Sequence, residues 1–162
     1  MIEEKLRELG IKLAEEVPAL GSYVPATVSG NLIFISGQLP VENGELRFTG
    51  KVGSDLTVEQ GYEAARLAAI NGLSVISHTL ENLRQLGRIV KVTGYVASAP
   101  GFTEQHKVVN GASEFFSDVL SENGRHARVA VGVPGLPMDS PVEIEIIAEF
   151  SPAAKRGSDI SP

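Results

Sequence analysis

The sequence predicts an α+β fold, in which a mixed or antiparallel sheet carries two main helices on one face. Two periodicities indicate this. Several short segments alternate apolar and polar residues with period two, as half-buried strands do. Two longer segments repeat apolar residues at steps of three and four, as amphipathic helices do. Residues 1–150 have the length of a single domain, and residues 151–162 are expected to form a flexible tail.

The chain is expected to begin with a short helix, followed by a pair of strands. Residues 2–9 place Ile, Leu and Leu on one side of a helical period. Residues 26–29 and 32–36 alternate as strands do, and they are joined by Gly30-Asn31, a two-residue turn composition. These segments therefore predict an N-terminal helix and a first hairpin.

Two long helices are predicted next, with a strand between them. The first opens at Thr57, where the Thr-Val-Glu-Gln sequence fits a capping box, and runs to about Leu83. The strand covers residues 88–97. The second helix covers about residues 103–121, and Asn123-Gly124 is expected to end it in a left-handed conformation.

Each long helix carries an Asn-Gly pair near its middle. The pairs are Asn71-Gly72 and Asn110-Gly111. A glycine inside a helix costs about 1 kcal/mol relative to alanine. Both glycines are therefore predicted to mark places where the helix packs closely against a neighbour.

The last two strands are predicted to form a hairpin from Ala127 to Phe150. Arg128 and Glu143 each alternate with the apolar residues of their own strand, so each points away from those residues. A guanidinium and a carboxylate at the ends of one hairpin could frame an anionic ligand, and His126 shares the parity of Arg128. The alternative interpretation is a sheet face that meets solvent or another subunit.

If the helices cover one face of the sheet, the other face must meet water or a partner. Ala130, Gly132 and Ile147 are predicted to lie on this outer face, and they are small or apolar. This composition favours an oligomer that buries part of the outer face.

Composition excludes several classes of function. The chain has no cysteine, so it has neither disulfides nor a thiolate nucleophile. Its net charge is −6 and its basic residues are scattered, so nucleic acid is not an expected partner. No metal-binding, phosphate-binding or nucleophile-elbow motif occurs. No segment is typical of a signal peptide or a membrane span, and a cytoplasmic location is expected.

Several segments, in order, resemble the Rid (YjgF-type) family, whose members are also called L-PSP endoribonucleases. They are residues 19–26 (Ala-Leu-Gly-Ser-Tyr-Val-Pro-Ala), residues 30–40, residues 127–131, Leu136-Pro137 and residues 142–148. The final Arg…Leu-Pro…Glu-Ile-Glu block is the most specific part. The resemblance implies a chorismate-mutase-like fold, assembled as a homotrimer around a central barrel with three clefts between subunits.

The resemblance also implies an activity and a set of site residues. Such proteins hydrolyse reactive enamines and imines to 2-keto acids and ammonia, without a metal or organic cofactor. The carboxylate-binding residue would be Arg128 and the water-positioning residue Glu143. The other substrate-binding positions would be Tyr23, Ser36, Gly37 and Ala130. The alternatives are a non-catalytic protein that binds small carboxylates and, less favoured, an endoribonuclease.

The sequence departs from the family pattern at several places. Ala130 stands where the family commonly has a small thiol, and Pro100 is aligned with a cleft position that is often Asn. The chain also carries an additional N-terminal helix. These departures predict a divergent branch of the family.

Overall fold

The computed structural model describes residues 2–15 and 21–151, and within them it contains three α-helices and seven strands. In chain order the elements are α1 (Ile2–Glu8), β1 (Ala26–Ser29), β2 (Leu32–Gln38), β3 (Val41–Glu42), β4 (Glu45–Leu46), α2 (Val58–Leu80), β5 (Leu86–Ala97), α3 (Gln105–Leu120), β6 (Ala127–Val133) and β7 (Val142–Phe150). The predicted tail beyond Ser151 lies outside the described residues.

Five strands form one mixed sheet, in the order β1-β2-β7-β5-β6. β5 and β6 run parallel, and the other neighbours are antiparallel. β3 and β4 form a separate two-stranded ribbon. Helices α2 and α3 both pack on one face of the large sheet, which confirms the predicted α+β architecture.

The predicted hairpin between β6 and β7 is wrong, because β5 lies between them. The strand–helix–strand segment β5-α3-β6 forms a crossover, and such a connection makes its two strands parallel neighbours. The chain then passes the end of β5, where Ala97 N–H donates to the carbonyl oxygen of Pro141 at 2.9 Å. β7 returns antiparallel on the other side of β5.

The core lies between the sheet and the two long helices. Its largest fully buried side chains come from β2, β5, β7, α2 and α3. They include Ile33, Ile35, Ile89, Ile144, Ile146, Leu73, Ile76, Phe115 and Phe116. Because one face of the sheet is filled in this way, polar residues that alternate with the core residues of β7 must point to the opposite face.

Both mid-helix glycines pack closely, as predicted. A Cβ atom on Gly72 would lie 2.2 Å from Cδ1 of Ile146 on β7. A Cβ atom on Gly111 would lie 2.0 Å from the carbonyl oxygen of Tyr62 on α2. Glycine at these positions therefore lets α2 approach the sheet and α3 approach α2.

The start of α2 is predicted correctly, but the end of α3 is not. Gln60 N–H donates to Thr57 Oγ1 at 3.2 Å, and Thr57 N–H donates to Gln60 Oε1 at 2.9 Å, which is a capping box. The residue with positive φ after α3 is Ser121, with φ of 54° and ψ of −129°, and Gly124 does not end the helix. Gly124 is needed for close approach, since a Cβ there would lie 2.0 Å from the carbonyl oxygen of Phe116.

The outer face of the sheet differs from the prediction at β6. Ala130 and Gly132 stand beside Gly94 and Val96 of β5, on the helix side, whereas Ile147 does lie on the outer face. The outward residues of β6 are Val129 and Val131, which are 43% and 39% exposed. Within the described residues no helix is long and apolar enough to cross a membrane.

Candidate functional site

Arg128 points to the helix side of the sheet. Its Cα lies beside that of Val92 on β5, which in turn lies beside Ile146 in the core face of β7. The guanidinium of Arg128 is held by α3. One nitrogen, Nη1, donates to Asn110 Oδ1 at 2.8 Å and to Ser113 Oγ at 3.1 Å.

The other terminal nitrogen of Arg128, Nη2, donates to the carbonyl oxygen of His106 at 3.2 Å. A guanidinium has five N–H groups, so three are used by α3. Within the described residues, the Nε–H and one Nη2–H meet no acceptor. Burial lowers the pKa of Arg128, but an arginine side chain stays charged at any physiological pH. A cationic pair of N–H donors therefore remains for a ligand.

His126 lies beside this network, as its shared parity with Arg128 predicted. Its Nε2 is 2.9 Å from Ser113 Oγ, and its Nδ1 is 2.6 Å from the carbonyl oxygen of Gly124. Its ring and that of Phe116 are nearly perpendicular, with a centroid distance of 6.0 Å. His126 thus contacts Arg128 through one intervening hydroxyl group.

Glu143 lies on the opposite, outer face of the sheet. Its Cα stands beside Tyr95, whereas its neighbours along β7 point into the core. A Cβ atom built on Gly37 would lie 1.8 Å from Glu143 Oε1. The absence of a side chain at Gly37 is what makes room for the carboxylate of Glu143.

The pKa of Glu143 is raised, first by burial and second by the neighbouring carboxylate of Glu145. Glu145 is two residues along β7 and shares the outer face. It accepts a hydrogen bond from the hydroxyl group of Tyr95 at 3.2 Å. The environment therefore favours a protonated Glu143 more than water would, which suits a group that exchanges protons with a substrate.

Tyr23 and Ser36 lie near Gly37 and Glu143. Ser36 Oγ donates to the carbonyl oxygen of Val24 at 2.7 Å, and Ser36 N–H donates to that of Pro25 at 2.9 Å. These bonds hold the segment before β1 against β2. Tyr23, Ser36 and Gly37 line a groove of about 500 Å³ on the outer face, and Tyr23 is 49% exposed.

A second cavity, of about 680 Å³, adjoins the same residues. Tyr23 and Gly37 lie on its wall together with the segment that follows α1, including Lys12 and Leu13. Ala14 N–H in this segment donates to Ser74 Oγ at 3.0 Å, which ties it to α2. The N-terminal extension therefore approaches the residues around Glu143.

The predicted site residues form two groups in one chain. Arg128 and Ala130 lie on the helix side of β6 and make the arginine half-site. The glutamate half-site lies on the outer face and consists of Tyr23, Ser36, Gly37 and Glu143. The expectation that Arg128 and Glu143 frame one ligand within one hairpin is therefore wrong, because β5 and the thickness of the sheet separate them.

Sequence reasoning missed the residues of α3 that hold Arg128. Asn110 and Ser113 are spaced three apart, so both meet the same strand. The Asn-Gly pair of α3 was a signal, because its asparagine bonds Arg128 while its glycine packs against α2. Pro100 is exposed in the turn after β5. The amide group that bonds Arg128 belongs to Asn110. Within residues 2–15 and 21–151 no cluster of three potential ligands could hold a metal ion.

The fold and the position of the final Arg…Leu-Pro…Glu block define a chorismate-mutase-like class of α+β protein. The chain belongs to the family described as "YjgF/chorismate mutase-like, putative endoribonuclease", whose model matches residues 3–150. The protein TCP17 of Trypanosoma cruzi is 40% identical over 151 residues, which cover 93% of this chain and 94% of TCP17.

Two solved structures are similar to the chain in sequence and fold. The protein Atu1372 of Agrobacterium tumefaciens, whose function is described as unknown, is 47% identical with a TM-score of 0.85, over 93% of this chain and 92% of that one. TdcF of Escherichia coli, solved with bound serine, is 28% identical with a TM-score of 0.60, over 86% of this chain and 99% of that one. The chain therefore resembles Atu1372 more than TdcF, both in sequence and in fold.

Proposed function

We propose that this protein hydrolyses small 2-enamino and 2-imino acids to 2-keto acids and ammonia. Arg128 binds the substrate carboxylate. Glu143 accepts a proton from the attacking water and later returns it. The observation that supports this most directly is the hydrogen bonding of Arg128. Three of its N–H groups are held by α3, and two remain for a ligand.

The two remaining donors suit a carboxylate. A planar guanidinium binds the two oxygens of a carboxylate through parallel N–H groups. A hydrogen bond to a charged group contributes about 1.5–3 kcal/mol. TdcF was solved with serine, an amino acid that carries such a carboxylate. Tyr23, Ser36, Gly37 and Ala130 are proposed to surround the rest of the substrate.

The chemistry requires one oriented water molecule and one proton acceptor. The water oxygen forms a bond to the imine carbon while Glu143 takes its proton, and the C=N π electrons move to nitrogen. Glu143 then returns the proton to nitrogen, which gives a carbinolamine. Glu143 next takes the proton of the carbinolamine hydroxyl group and passes it to the amino nitrogen, so the C=O bond forms as the C–N bond breaks, and ammonia and the 2-keto acid leave. A positioned general base contributes about 10²–10⁴-fold to such a rate. The raised pKa of Glu143 supports both proton transfers.

The complete site is proposed to form between subunits of a homotrimer. In one chain Arg128 and Glu143 lie on opposite faces of the sheet, so one chain does not bring them together. β6 is an edge strand, and Val129 and Val131 on it are exposed apolar residues, as is Phe34 on β2. A neighbouring chain packed on this outer face would bury them and would supply the missing half-site.

The test is the release of ammonia and pyruvate from 2-iminopropionate, generated in situ by an amino-acid oxidase. Wild-type protein should accelerate the release, and Arg128→Ala should abolish the acceleration. If wild-type protein gives no acceleration with imines derived from alanine, leucine or phenylalanine, the proposed deaminase activity is wrong.

A non-catalytic protein that binds small carboxylates is the second candidate, and the bound serine of TdcF favours it. The two candidates differ at Glu143. For an enzyme, Glu143→Gln destroys turnover and spares the binding of pyruvate. An endoribonuclease, the activity in the family's description, is the third candidate. RNA cleavage that survives Arg128→Ala or disappears on further purification would exclude it.

A further inference from the structure

We propose that Ser113 and His126 are positioning residues, which orient the guanidinium of Arg128 and make its affinity for carboxylates depend on pH. This inference rests on the proposed role of Arg128 in binding a carboxylate. The residues form one chain of hydrogen bonds, which runs from Arg128 through Ser113 and His126 to the backbone at Gly124.

The direction of each hydrogen bond follows from the last acceptor. A carbonyl oxygen only accepts, so the 2.6 Å contact between His126 Nδ1 and the oxygen of Gly124 requires a proton on Nδ1. In the neutral ring, Nε2 then has a lone pair and accepts from the Ser113 hydroxyl at 2.9 Å. The Ser113 oxygen in turn accepts from Arg128 Nη1 at 3.1 Å.

This arrangement leaves Arg128 with its ligand-binding donors aligned. Ser113 and Asn110 take the two protons of Nη1, and the carbonyl oxygen of His106 takes one proton of Nη2. The Nε–H and the other Nη2–H stay free of acceptors within the described part of the chain. Holding the planar group at three points removes rotational freedom that a carboxylate would otherwise have to restrict on binding.

Protonation of His126 disrupts this chain of hydrogen bonds. Nε2 then carries a proton and becomes a donor toward Ser113, so two cationic groups point at one hydroxyl oxygen and the Ser113 proton loses its acceptor. Among the described residues, Arg128 is the charged side chain that acts on His126, and the other neighbours are Ser113, the ring of Phe116 and the oxygen of Gly124. Acidification therefore weakens the hold of Ser113 on Arg128.

The pH at which this occurs lies below that of a free histidine. Burial lowers the pKa of His126 most, the charge of Arg128 lowers it further, and the hydrogen bond to Gly124 partly opposes them. His126 is thus neutral at pH 7, and the network is intact there. It fails as the pH falls through the lowered pKa of His126.

The test compares variants that remove the link with one that preserves it. Ser113→Ala removes the hydrogen-bond acceptor for Arg128, and His126→Phe removes the acceptor for Ser113. The phenylalanine at position 126 keeps the ring contact with Phe116. His126→Gln retains an acceptor that does not titrate. His78→Gln is the matched control, because His78 is exposed on α2 and, among the described residues, bonds only the carbonyl oxygen of Ser74 in its own helix.

The readouts are KM and kcat for 2-iminopropionate from pH 5 to 8. For wild-type protein and the His78→Gln control, we expect KM to rise about ten- to a hundredfold toward acid pH, the size that one hydrogen bond to a charged group gives. Any change in kcat that the titration of Glu143 causes is shared by all of these variants. His126→Gln should keep the low KM across the range, and Ser113→Ala and His126→Phe should show the high KM already at pH 8. A His126→Phe variant with wild-type KM at pH 8, or a His126→Gln variant with the wild-type pH dependence, would overturn the proposal.

A second readout does not depend on turnover. The NMR signal of Arg128 Nε–H and the affinity for pyruvate are followed against pH in wild-type protein and in His126→Gln. If no imine is hydrolysed but the Arg128 signal follows the titration of His126 in wild-type protein alone, the proposed activity fails and the positioning role stands. If the Arg128 signal does not change as His126 titrates, the positioning role is wrong, whether or not the protein is a deaminase.

Discussion

Glu143 occupies the space that a side chain at residue 37 would need. The Glu143 oxygen, 1.8 Å from a Cβ built on Gly37, is the far end of a flexible side chain and can move away. Gly37→Ala should therefore displace the carboxylate and leave the backbone in place. We expect kcat to fall by about a hundredfold or more, the contribution of a positioned base.

The matched control for this change is Gly135→Ala, because a Cβ on Gly135 meets nothing within 4 Å. Turnover and thermal unfolding are measured for both variants. Gly37→Ala should lose turnover with little loss of melting temperature, and Gly135→Ala should resemble wild type in both. Full turnover in Gly37→Ala would show that Glu143 does not need its observed position.

Glu143 should also lower the free energy of unfolding at neutral pH. Its folded-state pKa is raised, so the fold favours the protonated form, which is fully populated below the unfolded-state pKa. As pH rises through the folded pKa, the wild-type protein loses stability relative to Glu143→Gln. We expect the variant to melt higher at pH 7, with a difference that shrinks toward pH 4.

Thermal melts of wild type and Glu143→Gln across that pH range test this expectation. Glu122→Gln serves as the control, since the ion pair of Glu122 with Arg125, at 3.3 Å, is exposed and contributes little to stability. A Glu143→Gln difference that does not change with pH would contradict the assigned effect of burial and of Glu145.

At the scale of elements, periodicity predicted the strands and helices but not all of their neighbours. The two glycine pairs, the capping box at Thr57 and the face of each β7 residue could be predicted from local sequence, because they depend on local geometry. Strand pairing depends on contacts between distant segments. The β5-α3-β6 crossover inserts β5 between β6 and β7, so Arg128 and Glu143 fall on opposite sides of the sheet.

The residues that hydrogen-bond Arg128 could not be predicted from the sequence, for a related reason. Asn110 and Ser113 lie on α3, and nothing in their spacing says which strand the helix will cover. By contrast, Arg128 and Glu143 could be named because the Arg…Leu-Pro…Glu block resembles a known family. Their assigned roles remain predictions.

The packing of the helices gives a prediction that compares the two glycines. Both Gly72→Ala and Gly111→Ala gain about 1 kcal/mol of helix propensity. The new methyl group meets the terminal Cδ1 atom of the Ile146 side chain in the first case and the backbone carbonyl of Tyr62 in the second. Because backbone cannot move aside, Gly111→Ala should destabilise by about 1–3 kcal/mol, as overpacking does.

Urea unfolding of the two variants measures this difference. Gly72→Ala is the matched comparison, and it should stay within about 1 kcal/mol of wild type, since its propensity gain offsets the displacement of Ile146. Equal stability losses at the two positions would contradict the packing assigned to Gly111.

At the scale of the whole molecule, exposed apolar residues on the outer face of the sheet favour a homotrimer. Phe34, Val129 and Val131 are between 38% and 43% exposed on this face, and an oligomer would bury them. Light scattering at micromolar concentration should give about three times the 17.2 kDa chain mass. A monomeric mass would contradict both the trimer and the proposed intersubunit cleft.

The most direct test of the central claim is to mix two inactive variants. Arg128→Ala chains keep Glu143, and Glu143→Gln chains keep Arg128. If each site takes its arginine and its glutamate from different chains of a ring, equal amounts that exchange subunits freely should regain about one quarter of the wild-type activity, because about that share of interfaces is intact. No activity in the exchanged mixture, although wild-type trimers form and turn over, would contradict a site built from two chains.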